Sequence, residues 1–299
     1  MKKAILLFAA VSSLAAADLP PLVHLVAPGV FYRQSEDEKR IIATTSWIEF
    51  QDFLVVIDAN YPWGARAIIP DIRRTSTKPI RFVVDTHYHA DHSYGNGDFA
   101  ALGATIISSD DTAADSIERN TKSWAQSKDT GVFDLKQYAQ VHPQLTFHDR
   151  IAIDDGVRRL ELIRLGPAHT RGDVVAWLPK DRIVFTGDLC TTRAQNNLSD
   201  PGFDPQGWLR ALSAMEALDP AIVIPGHGIQ GTIESLRGQR AYLSAIIEAV
   251  KAGIAKGDNV EQVQQSINLD AHKPWSDDAK RNSAAIASVY RKLKDEPVP

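Results

Sequence analysis

The sequence predicts an α/β fold in which two β-sheets pack together and helices cover their outer faces. Three observations carry that expectation. Short bursts rich in Val, Ile, Phe and Tyr, split by polar turns, read as strands. These bursts recur in two similar halves, with helical stretches between or after each cluster. Hydrophobic residues make up 44% of the 299-residue chain, enough for the core of one large domain. A single cysteine, Cys190, excludes an intramolecular disulfide framework, so stability has to come from that core.

Met1–Ala17 reads as a secretory signal peptide. Lys2 and Lys3 form its charged start, Ala4 to Val11 its apolar centre and Ala15-Ala16-Ala17 a small-residue cleavage site. The apolar run is too short to span a bilayer. Residues 18–299 are expected to form a single exported domain, periplasmic or secreted, without a membrane anchor. Cleavage after Ala17 removes two lysines and no acids, which takes the formal charge from −4 to −6. A mildly acidic chain without a basic run argues against nucleic-acid binding.

In the first half, Val23 to Arg33, Arg40 to Glu49 and Asp52 to Ala59 are expected strands. Trp63 to Arg74 has helical spacing and ends before the Lys78-Pro79 break. Ile80 to Val84 is a short buried strand, Phe99 to Ala101 closes a short helix, and Ala104 to Ile107 is a further strand. Asp110-Asp111-Thr112 suits a helix N-terminus, with the helix running toward Trp124. Gln126 to Gln144 lacks periodicity and is expected to be a packed surface helix, or else a lid over the site.

The second half repeats the alternation. Thr146 to Ile153, Arg158 to Leu165, Val174 to Leu178 and Arg182 to Phe185 are expected strands. Asp204 to Leu218 is an amphipathic helix, and Ala221 to Ile224 a strand. The tail reads as helical over Thr232 to Lys256, Val260 to Ile267 and Asp277 to Leu293.

The chemistry concentrates in Thr86-His87-Tyr88-His89-Ala90-Asp91-His92. Three imidazoles and a carboxylate within six positions make a poor core and a good metal site, because both are standard zinc ligands. In a tight loop after a strand, His87 and His89 can converge on one ion while Asp91 and His92 project toward a second. His24, His142, His148 and His272 lack a metal-spaced neighbour and read as ordinary polar histidines.

His-Tyr-His-Ala-Asp-His resembles the HxHxDH signature of the metallo-β-lactamase fold superfamily. The rest of that family's ligand motifs follow in order: Pro167-Ala168-His169-Thr170, Thr186-Gly187-Asp188 and Pro225-Gly226-His227-Gly228. The resemblance implies an αββα sandwich of two mixed sheets with the metal site at one edge. It also implies a ligand set. His87, His89 and His169 would hold one ion, Asp91, His92 and His227 a second, and Asp188 would bridge them. Two zinc ions are the default, with manganese or iron also compatible with the ligand types. Asp91 and Asp188 become the catalytic carboxylates, and a metal-bridging hydroxide would attack a carbonyl.

Around this set, Asp85 is expected to orient an imidazole by accepting its free N–H, and Thr170 and Asp173 to do the same at His169 or to supply turn chemistry. Cys190 reads as a buried apolar thiol. Asn196-Asn197-Leu198-Ser199-Asp200 resembles the substrate-binding loop of zinc β-lactamases, which makes Asn197 a candidate contact to a lactam carbonyl. Arg193 is the candidate grip for a substrate carboxylate, with Arg171 as its competitor. The β-lactamases similar in these stretches carry a cysteine where this chain has Asp188, so the metal set is of the broader hydrolase type. The expected activity is hydrolysis of a small molecule, a β-lactam or another cyclic amide or ester. The alternatives are a glyoxalase II-like thioesterase or lactonase, a mononuclear iron persulfide dioxygenase, and a non-catalytic metal-binding accessory protein.

Overall fold

A computed structural model describes residues 19–36, 41–128, 134–192 and 196–294. The leader Met1–Ala17 therefore lies outside the described residues, as does Arg193. No helix among the described residues is long and apolar enough to cross a membrane.

The first sheet contains β1 (Val23–Ala27), β2 (Val30–Arg33), β3 (Thr45–Glu49), β4 (Leu54–Ile57), β5 (Ile80–Val84), β6 (Thr105–Ser109) and β7 (Leu145–Phe147) in sequential order. It is antiparallel from β1 to β4 and parallel from β4 to β7. The second holds β8 (Arg150–Asp154), β9 (Arg159–Arg164), β10 (Val174–Leu178), β11 (Ile183–Phe185) and β12 (Ile222–Ile224) in the order β12-β11-β10-β9-β8. Only its β11–β12 pair is parallel.

The helices are α1 (Pro62–Thr75), α2 (Ala90–Ser93), α3 (Asn96–Ala100), α4 (Asp110–Asp115), α5 (Thr121–Ala125), α6 (Pro205–Ala217), α7 (Ile233–Lys256), α8 (Val260–Ser266) and α9 (Ala279–Leu293). Their ends follow local chemistry. Pro62 opens α1, and Arg73 and Arg74 face its negative C-terminal end. The Thr232 hydroxyl caps α7, and Gly257 in the left-handed region stops it.

The alternation of side chains along a strand explains the four layers. In β4, Val55 and Ile57 point between the sheets, where they meet Leu160, Leu162 and Phe185. Leu54 and Val56 point the other way, onto Ala65, Ile68 and Ile72 of α1. In β10, Val174, Ala176 and Leu178 join the inter-sheet core, while Val175 and Trp177 pack with α6, α7 and α9. Both faces of the central strands β4 and β10 are thus buried, and every such aliphatic side chain contributes roughly 1.5–3 kcal/mol on leaving water. The αββα sandwich expected from the motifs is the observed fold.

Three expectations need correction. Val23 to Arg33 is a hairpin rather than one strand, because Pro28-Gly29 turns the chain with Gly29 at φ +72°. Thr146 to Ile153 is two strands, since the chain leaves the first sheet after Phe147 and enters the second at Arg150. The described part of Gln126 to Gln144 is not a surface helix; residues 129–133 lie outside the described residues. Among its described residues there is a single 3₁₀ turn, Leu135–Gln137, and the chain then runs alongside β6. Gln144 fixes it there, donating its N–H to the Ile106 carbonyl at 2.9 Å and accepting the Ile106 N–H at 3.0 Å.

Candidate metal centre

Strand direction brings the four motifs to one place. The loops that follow β5, β11 and β12 leave from C-terminal strand ends, the edge where open α/β sheets bind ligands. His87 and His89 follow β5, and the short α2 carries Asp91 and His92. His169 sits between β9 and β10, Asp188 in the 3₁₀ turn Gly187–Leu189, and His227 after β12. Gly226 is required for close approach, since a Cβ there would overlap the Asp188 carboxylate.

The seven side chains form two groups. In the first, His87 Nε2 lies 3.0 Å and His169 Nε2 3.2 Å from His89 Nδ1. Asp188 Oδ2 lies 3.7 Å from His169 Nε2. In the second, His227 Nε2 lies 3.4 Å from His92 Nε2 and 3.2 Å from Asp91 Oδ2. Asp188 Oδ1 lies 3.3 Å from both imidazoles of this group. The two oxygens of Asp188 therefore face different groups.

The donor chemistry fits metal. Ligand atoms about 2.0–2.2 Å from a tetrahedral ion stand roughly 3.3–3.6 Å apart, close to the spacings seen here. The tautomers agree as well, as inferred from the hydrogen-bond network. His89 Nε2 reaches Asp200 at 3.0 Å, His92 Nδ1 reaches Asp58 at 2.8 Å, and His227 Nδ1 reaches the Ile42 carbonyl at 3.0 Å. His87 Nδ1 lies 3.1 Å from the Thr86 hydroxyl, which donates onward to Asp58 at 2.9 Å. With the outer nitrogen of each carrying a proton outward, the inner nitrogen is the one that would turn a lone pair to an ion. His169 Nδ1 is the exception and has no hydrogen-bond partner among the described residues.

Electrostatics divides the groups. Burial and neighbouring imidazoles push His87 well down and His169 down to about 4. In the second group burial also disfavours the imidazolium, but carboxylates outweigh it. Asp188, Asp58 and Asp91 hold His92 up, and Asp188 and Asp91 raise His227 to about 10. Asp188 and Asp91 are depressed in turn by His92 and His227, against their burial. The metal-free cluster thus gathers positive charge in the form of protons, at positions a cation would take.

Several expected roles fall elsewhere. Asp85 does not hydrogen-bond an imidazole; it accepts from Asn96 Nδ2 at 2.8 Å, and burial pushes its carboxyl well up. The carboxylate beside His92 is Asp58, at the end of β4. Thr170 and Asp173 bond each other, the hydroxyl donating to the carboxylate at 2.7 Å, and so close the turn behind His169. Asn197 is exposed and accepts from the Ser199 N–H at 3.0 Å, lining a groove of about 240 Å³ against Arg281, Ala284 and Ala285 of α9. The Arg171 guanidinium pairs with Asp115 at 3.0 Å, which removes it as a substrate grip. Cys190 is buried, and burial raises its thiol.

Sequence reasoning missed Asp58, Thr86, Asp200, Tyr88 and Asn120. Asp200 also accepts from the Tyr88 hydroxyl. Asn120, in the π-helical turn Ser116–Asn120 between α4 and α5, donates to the Tyr88 carbonyl at 2.7 Å and fixes the loop from below. A signal existed for Asp58, a carboxylate directly after a buried apolar run. None existed for Asp200, which is 111 residues from His89. Asp200→Asn keeps an acceptor and removes the charge behind His89. It is expected to weaken the first-group ion about 10- to 100-fold, as read by competition with a chromophoric chelator. Equal affinity in variant and wild type would remove Asp200 from the centre.

A sequence model described as the metallo-beta-lactamase superfamily matches residues 40–227. Among curated proteins, a linear primary-alkylsulfatase from Pseudomonas sp. (strain ATCC 19151) is 20% identical over 270 residues, 76% of this chain and 51% of that protein. The chain spans about half the length of the curated relatives it matches. Among solved structures, a metallo-beta-lactamase from Pontibacter korlensis superposes with a TM-score of 0.62 at 21% identity, over 74% of this chain and 98% of that one. The inverting sec-alkylsulfatase Pisa1 from Pseudomonas sp. gives a TM-score of 0.71 at 18% identity, over 90% of this chain and 50% of that one.

Proposed function

This chain belongs to the metallo-β-lactamase superfamily, and from that premise we propose that it is a dinuclear zinc hydrolase of a small-molecule ester or amide. One observation carries the reading. Seven donors stand in two groups, with Asp188 in the first and its Oδ1 also 3.3 Å from both imidazoles of the second, and four of the five imidazoles have their outer nitrogen hydrogen-bonded. When bound, zinc supplies Lewis acidity and lowers the pKa of coordinated water to about 7.

The chain's own residues prepare that chemistry. Asp58, Asp200, Thr86 and the Ile42 carbonyl hold four imidazoles in the tautomer that points a lone pair inward. Asp188 sets the spacing of the two groups through its two oxygens, with Asp91 as the carboxylate particular to the second. Tyr61, whose hydroxyl is raised by burial and by the charge of Asp91, stacks on Trp63 at 4.6 Å.

A β-lactam or another cyclic amide or ester remains the first substrate class, supported by the solved β-lactamase relatives. A second reading, hydrolysis of a sulfate ester, is supported by a specific observation. The sec-alkylsulfatase covers 90% of this chain, against 74% for the β-lactamase, and so reaches further beyond the matched family region. We further propose export to the periplasm, on the strength of the Met1–Ala17 leader. Elemental analysis of zinc-loaded protein is expected to give two ions per chain. A panel of β-lactams, lactones, thioesters, phosphodiesters and alkyl sulfates is expected to single out one class. A maximum of one ion would end the dinuclear assignment, and a silent panel would end the hydrolase assignment.

A further inference from the structure

We infer that Trp275 is a positioning residue for the second group of metal ligands, so that the C-terminal helices complete the centre. The inference rests on the two-ion reading above. It starts outside the family-matched region, which ends at residue 227. Between α8 and α9 the chain turns back, and the Trp275 indole N–H donates to the Thr191 carbonyl at 2.8 Å.

The placement of that carbonyl gives the contact its meaning. Thr191 lies three residues after Asp188 and forms a parallel β-bridge with His227. The Thr192 N–H donates to the His227 carbonyl at 3.1 Å, and the Gly226 N–H to the Cys190 carbonyl at 3.2 Å. The Thr192 hydroxyl donates to the Ile229 carbonyl at 2.7 Å. Residues 190–192 are thus a strip of main chain that fastens the Asp188 turn to the His227 loop. Trp275 holds the outer edge of that strip.

The indole is seated for this task. Gly238 of α7 faces it, and a Cβ at that position would overlap the ring. The ring packs against the core formed by the second sheet with α6, α7 and α9. Its loop is fixed on both sides. The Ser276 hydroxyl donates to the Leu269 carbonyl at 2.7 Å, and Asn282 Nδ2 to the Ser276 carbonyl at 2.8 Å. The Tyr242 hydroxyl of α7 in turn donates to Asn282 Oδ1 at 3.0 Å. A hydrogen bond from such a fixed donor restrains the Thr191 peptide, and with it the spacing of Asp188 and His227. Of the first group only Asp188 adjoins this strip: His87 and His89 are held by Thr86 and Asp200, and His169 meets Trp208, whose own indole N–H donates to the Leu189 carbonyl at 2.9 Å.

Zinc titration of chelated wild type, Trp275→Phe and Gly238→Ala against a competing chromophoric chelator tests the inference. Phenylalanine keeps the ring and removes the donor; alanine at 238 displaces the ring from its seat. The first ion is expected to bind all three proteins equally. The second is expected to weaken about tenfold or more in Trp275→Phe, the usual cost of losing an outer contact to a metal centre, with the same split in Gly238→Ala. Thermal melts of the chelated proteins register general loss of packing separately. A Trp275→Phe variant that binds both ions as the wild type does, or that loses affinity equally for both, overturns the positioning role. A wild type that binds one ion overturns the two-ion reading and this inference with it.

Discussion

Asp188→Ala is expected to empty the second group and to take turnover with it. Loss of an outer partner costs about 10- to 100-fold in metal affinity or activity, so loss of a shared ligand should cost at least the upper figure, about 100-fold. The reason lies in the two oxygens. Oδ2 faces His169 at 3.7 Å, and Oδ1 faces His92 and His227 at 3.3 Å each, so one truncation removes an anionic donor from both groups. The first group keeps three imidazoles and should retain its ion. The second keeps Asp91, His92 and His227 but loses the carboxylate that most strongly favours charge on His227. Asp188→Cys restores one anionic donor that zinc accepts readily, so it should recover the second ion. It cannot present two oxygens to two groups, and turnover should recover less than occupancy. Metal analysis alongside kcat/KM checks both variants. An alanine variant with two ions and full turnover would show that Asp188 is not the shared ligand.

The ligand set was legible because its chemistry is local in sequence. His87, His89, Asp91 and His92 fall within one loop and one helical turn, and the remaining ligands each follow a short apolar strand. The strands from β3 to β6 and from β9 to β12 were legible for a related reason. β4, β10, β11 and β12 are almost wholly buried and read as apolar runs bounded by polar turns, whereas β9 shows as alternating apolar and charged residues. What defeated the reading at Thr146 to Ile153 was a change of sheet without Gly or Pro to mark it. His148 and Asp149 are ordinary surface residues, and only the pairing of β7 with β6 and of β8 with β9 separates the two strands.

The residues around the ligands were legible only in part, because their partners are set by tertiary structure. Asp85 and Asp58 both follow an apolar strand and look alike in sequence. Asp58 adopts a left-handed backbone, φ +62°, and reaches His92 and Thr86, whereas Asp85 turns toward Asn96. Asn197 and Asp200 share one loop, yet it is Asp200 that meets His89. A motif locates such a loop without saying which of its side chains turns inward.

Stripping the metal with a chelator is expected to lower the melting temperature, by an amount that grows with pH. An ion held at 1,000 times its Kd adds about 4.1 kcal/mol to stability. At the lower end of the 2–4 °C per kcal/mol typical of large domains, that is roughly 8 °C for each ion. The pH dependence follows from the protons that metal must displace. In the metal-free protein His227 titrates near 10 rather than at its ordinary 6.5, because the neighbouring carboxylates outweigh its burial. Its imidazolium therefore contributes stability in full below pH 6.5, and that contribution is lost as the pH rises toward 10. His169 has the opposite sign. Its folded value of about 4 means that acidification from 6.5 toward 4 protonates the unfolded chain first and costs stability. The chelated protein should therefore be most stable near pH 6.5 as far as these two groups decide. A bound ion replaces the proton at His227, so the loaded protein is spared the loss on the alkaline side. The difference in melting temperature between loaded and chelated protein should accordingly be larger at pH 9 than at pH 6. A difference that is the same at both values, or absent at both, would show that the cluster does not exchange protons for metal.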